Sequence, residues 1–271
     1  MSAMRLTGRT AVVTGAGSGI GRGIAVALAR RGCHLALADI DPRGLAETVG
    51  LLPSTLRISS HQLDVADRAA VAAFPDAVRA AHPQVDVLVN NAGVALGGTF
   101  EQVAEDDFEW LFGINFWGVV RMTRAFLPLL RASDDARLVN ISSIFGIVAP
   151  AEQVAYAASK FAVRGFTEAL RHELAGSAVG VTVVHPGGVR TSISDRARAP
   201  KDVDPNEVTR KREQFRKFLR MPPMDAGETI VRAVERRRSR VLVGGDAKGL
   251  SLLARLAPVR YWTLMRLGLP Q

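Results

Sequence analysis

An α/β fold built on a doubly wound, Rossmann-type parallel sheet of about seven strands, flanked by helices as a three-layer sandwich, is predicted by three features of the sequence. Short apolar runs alternate with longer helical patterns along most of the chain. Most of these runs are continuously apolar, as strands covered on both faces require. The first run ends in a glycine-rich turn that opens a helix, "VVTGAGSGIGRG" from Val12.

Candidate strands begin at Thr10 (TAVVTG), His34 (HLALAD), Arg57 (RISSHQLDV), Val85 (VDVLVNNAG), Ala136 (ARLVNISS), Val179 (VGVTVVHPGG) and Ser239 (SRVLVGG). Between them, segments 20–31, 68–81, 105–131, 153–175 and 226–237 have the length and apolar spacing of helices. Repeated strand–helix units imply right-handed crossovers and a ligand site beyond the carboxyl ends of the strands. The expectation is one domain over 1–271, with a core at about 6–245, a substrate loop at about 192–222 and a C-terminal extension at about 246–271.

A chain of 271 residues, 48% of them hydrophobic, can bury a full core. Its N-terminus lacks the apolar stretch of a secretory signal, and no uncharged apolar run approaches the ~20 residues of a membrane span. A cytoplasmic protein is expected. The single cysteine, Cys33, reads as a small buried hydrophobe. The net charge of +9 is concentrated late, in "RKREQFRKFLR" from Arg210 and "ERRRSR" from Glu235, without any nucleic-acid-binding signature. Solvated helix faces are the first reading of these clusters and no nucleic-acid partner is expected. The histidines His34, His61, His82, His172 and His185 are scattered without metal-ligand spacing, so no metal site is expected.

In the glycine turn, Gly15 lets the chain leave the strand, Gly19 lets backbone approach a phosphate, and Gly21 lets the helix pack close to the sheet. With a strand before, a helix after and Asp39 closing the next strand, the context of a dinucleotide fingerprint is complete. A carboxylate at Asp39 can accept from ribose hydroxyls and repels a 2′-phosphate, which places NAD ahead of NADP, although Arg22 and Arg43 could soften the repulsion.

The spacing TGxxxGxG, followed in order by "NNAG" (Asn90 to Gly93), "NISS" (Asn140 to Ser143), "YAASK" (Tyr156 to Lys160) and "HPGGVRT" (His185 to Thr191), resembles that of classical short-chain dehydrogenases/reductases. The resemblance implies catalytic roles for Asn115, Ser143, Tyr156 and Lys160. It places the cofactor on Gly15, Ser18, Gly19, Ile20, Gly21, Asp39, Asp64, Val65, Asn91, Ala92, Gly93, Tyr156, Lys160, Pro186, Gly187, Val189 and Thr191. Ser143 is preferred to Ser142 because it stands thirteen residues before Tyr156, and adjacent strand residues face opposite ways. Asn115 is implied to hold a water beside Lys160. Pairing of helices 105–131 and 153–175 between subunits is implied as well, in a homodimer or homotetramer.

Oxidising a carbinol requires a base for the hydroxyl proton, and tyrosine, with a pKa near 10, is a poor one unaided. A lysine one helical turn away, at ~5 Å and an effective dielectric of ~20, would favour tyrosinate by roughly 3 kcal/mol. The expected activity is therefore NAD(P)-dependent interconversion of a secondary alcohol and a ketone. Ser143, Phe145, Gln153, Tyr156 and Gly187 are the candidate substrate contacts, and with Val94, Leu96, Ile147, Val148, Phe215, Phe218 and Leu219 they suit an apolar compound such as a steroid, a retinoid-like or fatty molecule, or an acyloin.

Leucines mixed with arginines in the C-terminal segment suit packing on the protein, a subunit interface or a peripheral membrane contact, and Pro258 bars one continuous helix. Two other functions fit these residues less well. A non-catalytic dinucleotide sensor has no use for Tyr156 and Ser143 together. An epimerase or dehydratase of the extended branch would carry TGxxGxxG spacing and a larger C-terminal region.

Overall fold

The computed structural model describes residues 3–200 and 203–267. Seven parallel strands form one sheet: β1 (Thr10–Thr14), β2 (His34–Asp39), β3 (Ile58–Gln62), β4 (Val87–Asn90), β5 (Ala136–Ile141), β6 (Val179–Pro186) and β7 (Arg240–Val243), in the order β3-β2-β1-β4-β5-β6-β7. The order reverses between β1 and β4, whose register pairs Val12 with Leu88. The helices are α1 (Gly19–Ala29), α2 (Pro42–Val49), α3 (Arg68–Ala81), α4 (Glu105–Phe112), α5 (Val119–Ala132), α6 (Val154–Glu173), α7 (Pro205–Arg216), α8 (Pro223–Glu235), α9 (Gly245–Leu256) and α10 (Tyr261–Leu267).

The two-residue alternation of strands divides the core. Ala11 and Val13 face one layer with Ile24 and Leu28 of α1 and Ile230 and Val231 of α8. Val12 faces the other, with Phe74 of α3 and Met122, Phe126 and Leu130 of α5. Each large apolar side chain so buried contributes roughly 1.5–3 kcal/mol. The edge strand β3 is the exception to the apolar rule: its sequence, ISSHQ, contains no fully buried residue.

Asp41, Asp67 and Asp204 cap α2, α3 and α7 by accepting from backbone amides one turn in. Helix α2 is too short for periodicity to reveal. The helix anticipated over 105–131 is three pieces, because a π-helical turn, Gly113–Gly118, separates α4 from α5. Gly118 fits there against Val65, 2.9 Å from where a Cβ would stand. The anticipated substrate loop contains α7, which buries none of its residues; its basic residues are not simply solvated, since Lys211 pairs with Glu152 and Glu207 and Arg216 with Asp195. Lys201 and Asp202 of that loop, and 268–271 of the C-terminal extension, lie outside the described residues. As anticipated, Pro258 falls between two helices, α9 and α10.

Helices α1 and α8 cross backbone to backbone, and ion pairs from Arg31 to Glu228 (2.8 Å) and Glu235 (2.9 Å) tie their ends. Arg31 holds the Glu228 carboxyl down to about 2. A Cβ on Gly227 would overlap the main chain of Gly23. Gly227→Ala is therefore expected to destabilise the fold by about 2 kcal/mol through overpacking, despite alanine's better helix propensity. Thermal unfolding should show Tm lower by roughly 5 °C.

Candidate active site

The ends of β1 and β4 lie side by side at the point where the sheet order reverses, and they carry the glycine turn and "NNAG". The Asn91 amide donates to the carbonyl oxygens of Thr14 (2.9 Å) and Gly15 (3.1 Å). In return the Thr14 hydroxyl oxygen accepts from the backbone of Asn91 (3.0 Å) and Ala92 (3.1 Å). Gly15 and Gly19 have φ of +64° and +51°, in the left-handed region that favours glycine. A Cβ on Gly21 would overlap the Gly15 carbonyl oxygen, so α1 rises directly out of the turn.

At the start of α1, Ser18 makes no side-chain cap and the first turn, which includes Ile20, holds no acid. Its free N–H groups and the helix dipole suit an anion. Asp39, at the end of β2, accepts from the amides of Gly17 (2.8 Å) and Asp41 (3.0 Å), which fixes its carboxylate beside the turn. Arg22 is turned away, donating to Glu47 (2.7 Å) and to the Gly17 carbonyl oxygen (2.5 Å). Asp64 is exposed and accepts from the Ala66 amide (2.8 Å), while Val65 is buried. This cradle, glycine-floored and anion-seeking at one end with a fixed carboxylate at the other, fits a dinucleotide.

Ser143, Tyr156 and Lys160 converge beside it from the end of β5 and the first turns of α6. The Ser143 hydroxyl oxygen accepts from the Phe145 amide (3.1 Å) and lies near enough to the Tyr156 hydroxyl to lower its pKa. Ser142 points elsewhere and donates to the Lys160 carbonyl oxygen (2.8 Å). Lys160 is buried, its Nζ 5.7 Å from the Tyr156 ring centre and donating to the Ile141 carbonyl oxygen (3.2 Å).

Burial governs both titrations. It pushes the Tyr156 hydroxyl up, against the lowering effect of Ser143, and pulls Lys160 down to about 8. This corrects the expectation from charge alone, which had Lys160 lowering the tyrosine: removal from water raises the hydroxyl's pKa, opposed by Ser143.

Asn115 lies in the π-helical turn and is fully buried. Its side chain accepts from the Val94 amide (2.8 Å) and donates to the Val94 carbonyl oxygen (3.0 Å) and to Ser159 (3.2 Å). A Cβ on Gly93 would stand 3.1 Å from Asn115 Oδ1 and 3.4 Å from Lys160 Nζ, so these three residues share one corner. Phe145 sets its ring edge-on to Tyr156 at 6.2 Å and lies 6.5 Å from Phe215, which follows the site outward. Gln153, the N-cap of α6, lies beside Gly97.

The segment after β6 crosses the glycine turn. The Thr191 methyl lies 3.0 Å from where a Cβ on Gly19 would stand, and buried Val189 bridges to Met221. Pro186 ends β6, and the Gly187 amide donates to the Val243 carbonyl oxygen (2.9 Å).

Three residues here escape sequence reasoning. The Asp246 carboxylate accepts from the Gly188 amide (2.6 Å), and a Cβ on Gly187 would run into it. The Ala149 amide donates to the Tyr261 hydroxyl oxygen (3.0 Å), joining α10 to the loop after Ser143. His185 is buried, with its Nδ1–H donating to the Ser143 carbonyl oxygen (2.9 Å), and burial pulls its pKa down to about 4. For Asp246, the only sequence signal was an acid just past the "VLVGG" strand end.

The parallel sheet, the glycine cradle at its switch point and a tyrosine–lysine pair one helical turn apart define a dinucleotide-binding oxidoreductase. The model of the short chain dehydrogenase family matches residues 9–202, and the chain belongs to the short-chain dehydrogenase/reductase family. It is 44% identical over 265 residues to SadH of Mycobacterium tuberculosis, covering 96% of this chain and 95% of that protein, whose name assigns it provisionally as an oxidoreductase. It is 38% identical over 227 residues to the oxidoreductase UcpA of Escherichia coli, covering 83% and 86% of the two chains. Among solved structures, a short chain dehydrogenase/reductase from Burkholderia phymatum in complex with NAD superposes with a TM-score of 0.84 at 32% identity, covering 93% of this chain and 95% of that one.

Proposed function

We propose that this oxidoreductase uses NAD in preference to NADP to interconvert an apolar secondary alcohol and its ketone, with Tyr156 as the acid/base. The observation that carries the reading is the buried Lys160 Nζ 5.7 Å from the Tyr156 ring, one helical turn along α6, with Ser143 near the tyrosine hydroxyl and a cradle shaped for a dinucleotide alongside. Bound NAD would supply the hydride exchange, held by Gly15 to Gly21, Asp39, Asp64, Val65, Asn91 to Gly93 and Pro186 to Thr191.

In the reducing direction, the Tyr156 hydroxyl gives its proton to the ketone oxygen, and the Ser143 hydroxyl donates a hydrogen bond to the same atom as negative charge grows there. Burial keeps Tyr156 protonated and ready for this step. Lys160, cationic below about pH 8, favours the tyrosinate left behind. Asn115, with its side chain spent on Val94 and Ser159, serves by fixing the corner around Gly93 and Lys160.

Phe145, Phe215 and Leu96 support an apolar substrate. We read the chain as one domain, because both apolar clusters share the same sheet. We read the setting as cytoplasmic from the sequence; Cys33 is buried, its thiol pushed up to about 12 by burial. Among the described residues no helix is long and apolar enough to cross a membrane. A homo-oligomer is supported by the shallow apolar groove between α5 and α6, where Leu127, Phe166 and Leu170 lie between Arg124 and Arg131 on one side and Glu173 on the other. A two-fold contact could pair those charges.

The test is a screen of apolar ketones and alcohols with NAD(H) and NADP(H). Turnover of at least one secondary alcohol–ketone pair with NAD(H) is expected. Activity confined to NADP(H), or to substrates lacking a carbinol or carbonyl carbon, would overturn the reading.

Asp246 enters the proposal as a positioning residue. It pins Gly188, whose carbonyl oxygen in turn accepts from the amides of Arg220 (2.9 Å) and Met221 (3.1 Å). Asp246→Ala is expected to weaken NADH binding about 5-fold, the effect of roughly 1 kcal/mol for one exposed charge-assisted hydrogen bond. Asp246→Asn, which keeps an acceptor, should restore most of it. Fluorescence titration of NADH with the three proteins checks both outcomes.

A further inference from the structure

Among the described residues, nothing covers the outer face of the C-terminal helical pair. Its inner face is used: Ala247, Leu250, Ala254, Tyr261 and Met265 pack on Ile144, Val148 and the ring of Phe145. On the outer face, Leu252 is 56% exposed, Leu256 74%, Val259 89% and Leu264 46%. Leu252 and Leu256 stand one turn apart on α9, and Val259 lies in the turn to α10. Such a concentration of large apolar side chains in water is costly unless something covers it.

Charge indicates what that is. Lys248, Arg255 and Arg260 are exposed among these leucines. From Ala247 to Gln271 the sequence holds four basic residues, Lys248, Arg255, Arg260 and Arg266, and no Asp or Glu. A second copy seated here about a two-fold axis would set this segment against itself, cation to cation with no acid of 247–271 between. Val259, the most exposed of the four, sits at the tip of the turn, so the apolar face protrudes as a ridge. A lipid surface accepts a ridge of that kind, and anionic headgroups complement its charge.

We propose that α9 and α10 form a docking surface for an anionic membrane, lying in the plane of the interface with Leu252, Leu256, Val259 and Leu264 in the acyl boundary and Lys248, Arg255 and Arg260 among the headgroups. No helix among the described residues is long and apolar enough to cross a bilayer, so the contact is peripheral. One side of the helical pair then meets lipid, while the other builds the wall beside Phe145. The proposal stands apart from the reading of the reaction, since docking requires no turnover.

The test is co-sedimentation of the purified full chain with phosphatidylcholine vesicles containing about one third phosphatidylglycerol, against pure phosphatidylcholine, at low and high salt. Partition onto the anionic vesicles is expected to be at least about 10-fold stronger and to weaken with salt. A Leu256→Glu/Val259→Glu variant should lose it by at least about 10-fold. An Arg255→Glu/Arg260→Glu variant should lose the preference for anionic lipid. NADH titration checks that both variants remain folded. Absence of binding to the anionic vesicles, or equal binding by the variants, would overturn the proposal. So would a wild-type assembly that the Leu256→Glu/Val259→Glu variant breaks up in sedimentation equilibrium without any change in vesicle binding, since the face would then belong to a second copy.

Discussion

Tyr156→Phe is expected to lower kcat by about 10²–10⁴-fold in both directions, the usual contribution of a positioned acid/base, while leaving NADH affinity within about 2-fold. The variant removes only the hydroxyl. The ring edge-on to Phe145 stays, as does Lys160 on the Ile141 carbonyl oxygen, so the pocket keeps its shape. Steady-state assays with any substrate found in the screen, paired with NADH fluorescence titration, separate lost chemistry from lost binding. Equal turnover by wild type and variant would remove Tyr156 from the mechanism.

The same assay run across pH exposes the lysine. Because kcat/KM follows groups in the free enzyme, ketone reduction by wild type should fall as pH rises through about 8, where Lys160 loses its proton. Tyr156, pushed above its ordinary value, is still protonated there. Stability should move in the opposite direction. Lys160 has a folded pKa below its ordinary 10.5. The folded state thus binds fewer protons between about pH 8 and 10.5, and the cost of burying the cation is relieved as pH rises through that window.

What the sequence made legible was chemistry that demands particular residue types at short spacing. A phosphate needs bare backbone, hence Gly15, Gly19 and Gly21, and the tyrosine–lysine pair needs one helical turn. Strand alternation also separated Ser143 from Ser142, and the structure turns the two hydroxyls to different partners, the Phe145 amide on the side of Tyr156 and the Lys160 carbonyl oxygen. Features that depend on distant contacts stayed hidden. The π-helical turn at Asn115 leaves the apolar periodicity of 105–131 intact, and only its fit against Val65 and Val94 marks it. Asp246 meets Gly188 across 58 residues, a pairing no local pattern encodes. The direction of the Tyr156 shift was misread because spacing reports charge and says nothing of burial.

Asp39 should set cofactor choice by about 10²-fold in Kd. Its carboxylate is fixed beside the glycine turn by the Gly17 and Asp41 amides, so it cannot swing away from an added phosphate. A unit of like charge at ~5 Å and an effective dielectric of ~20 costs roughly 3 kcal/mol, which is about 10²-fold. Arg22, the nearby cation that could have offset this, is held by Glu47 and the Gly17 carbonyl oxygen. Calorimetry on wild type should therefore give a Kd for NADP about 10²-fold weaker than for NAD. Asp39→Asn keeps an acceptor for the Gly17 amide and drops the charge, and should bring the two cofactors to within about 10-fold, chiefly by strengthening NADP. Wild type binding NADP as tightly as NAD would show that this carboxylate does not select. Unchanged preference in Asp39→Asn would place the selection on another group, with exposed Arg43 at the start of α2 the next to replace.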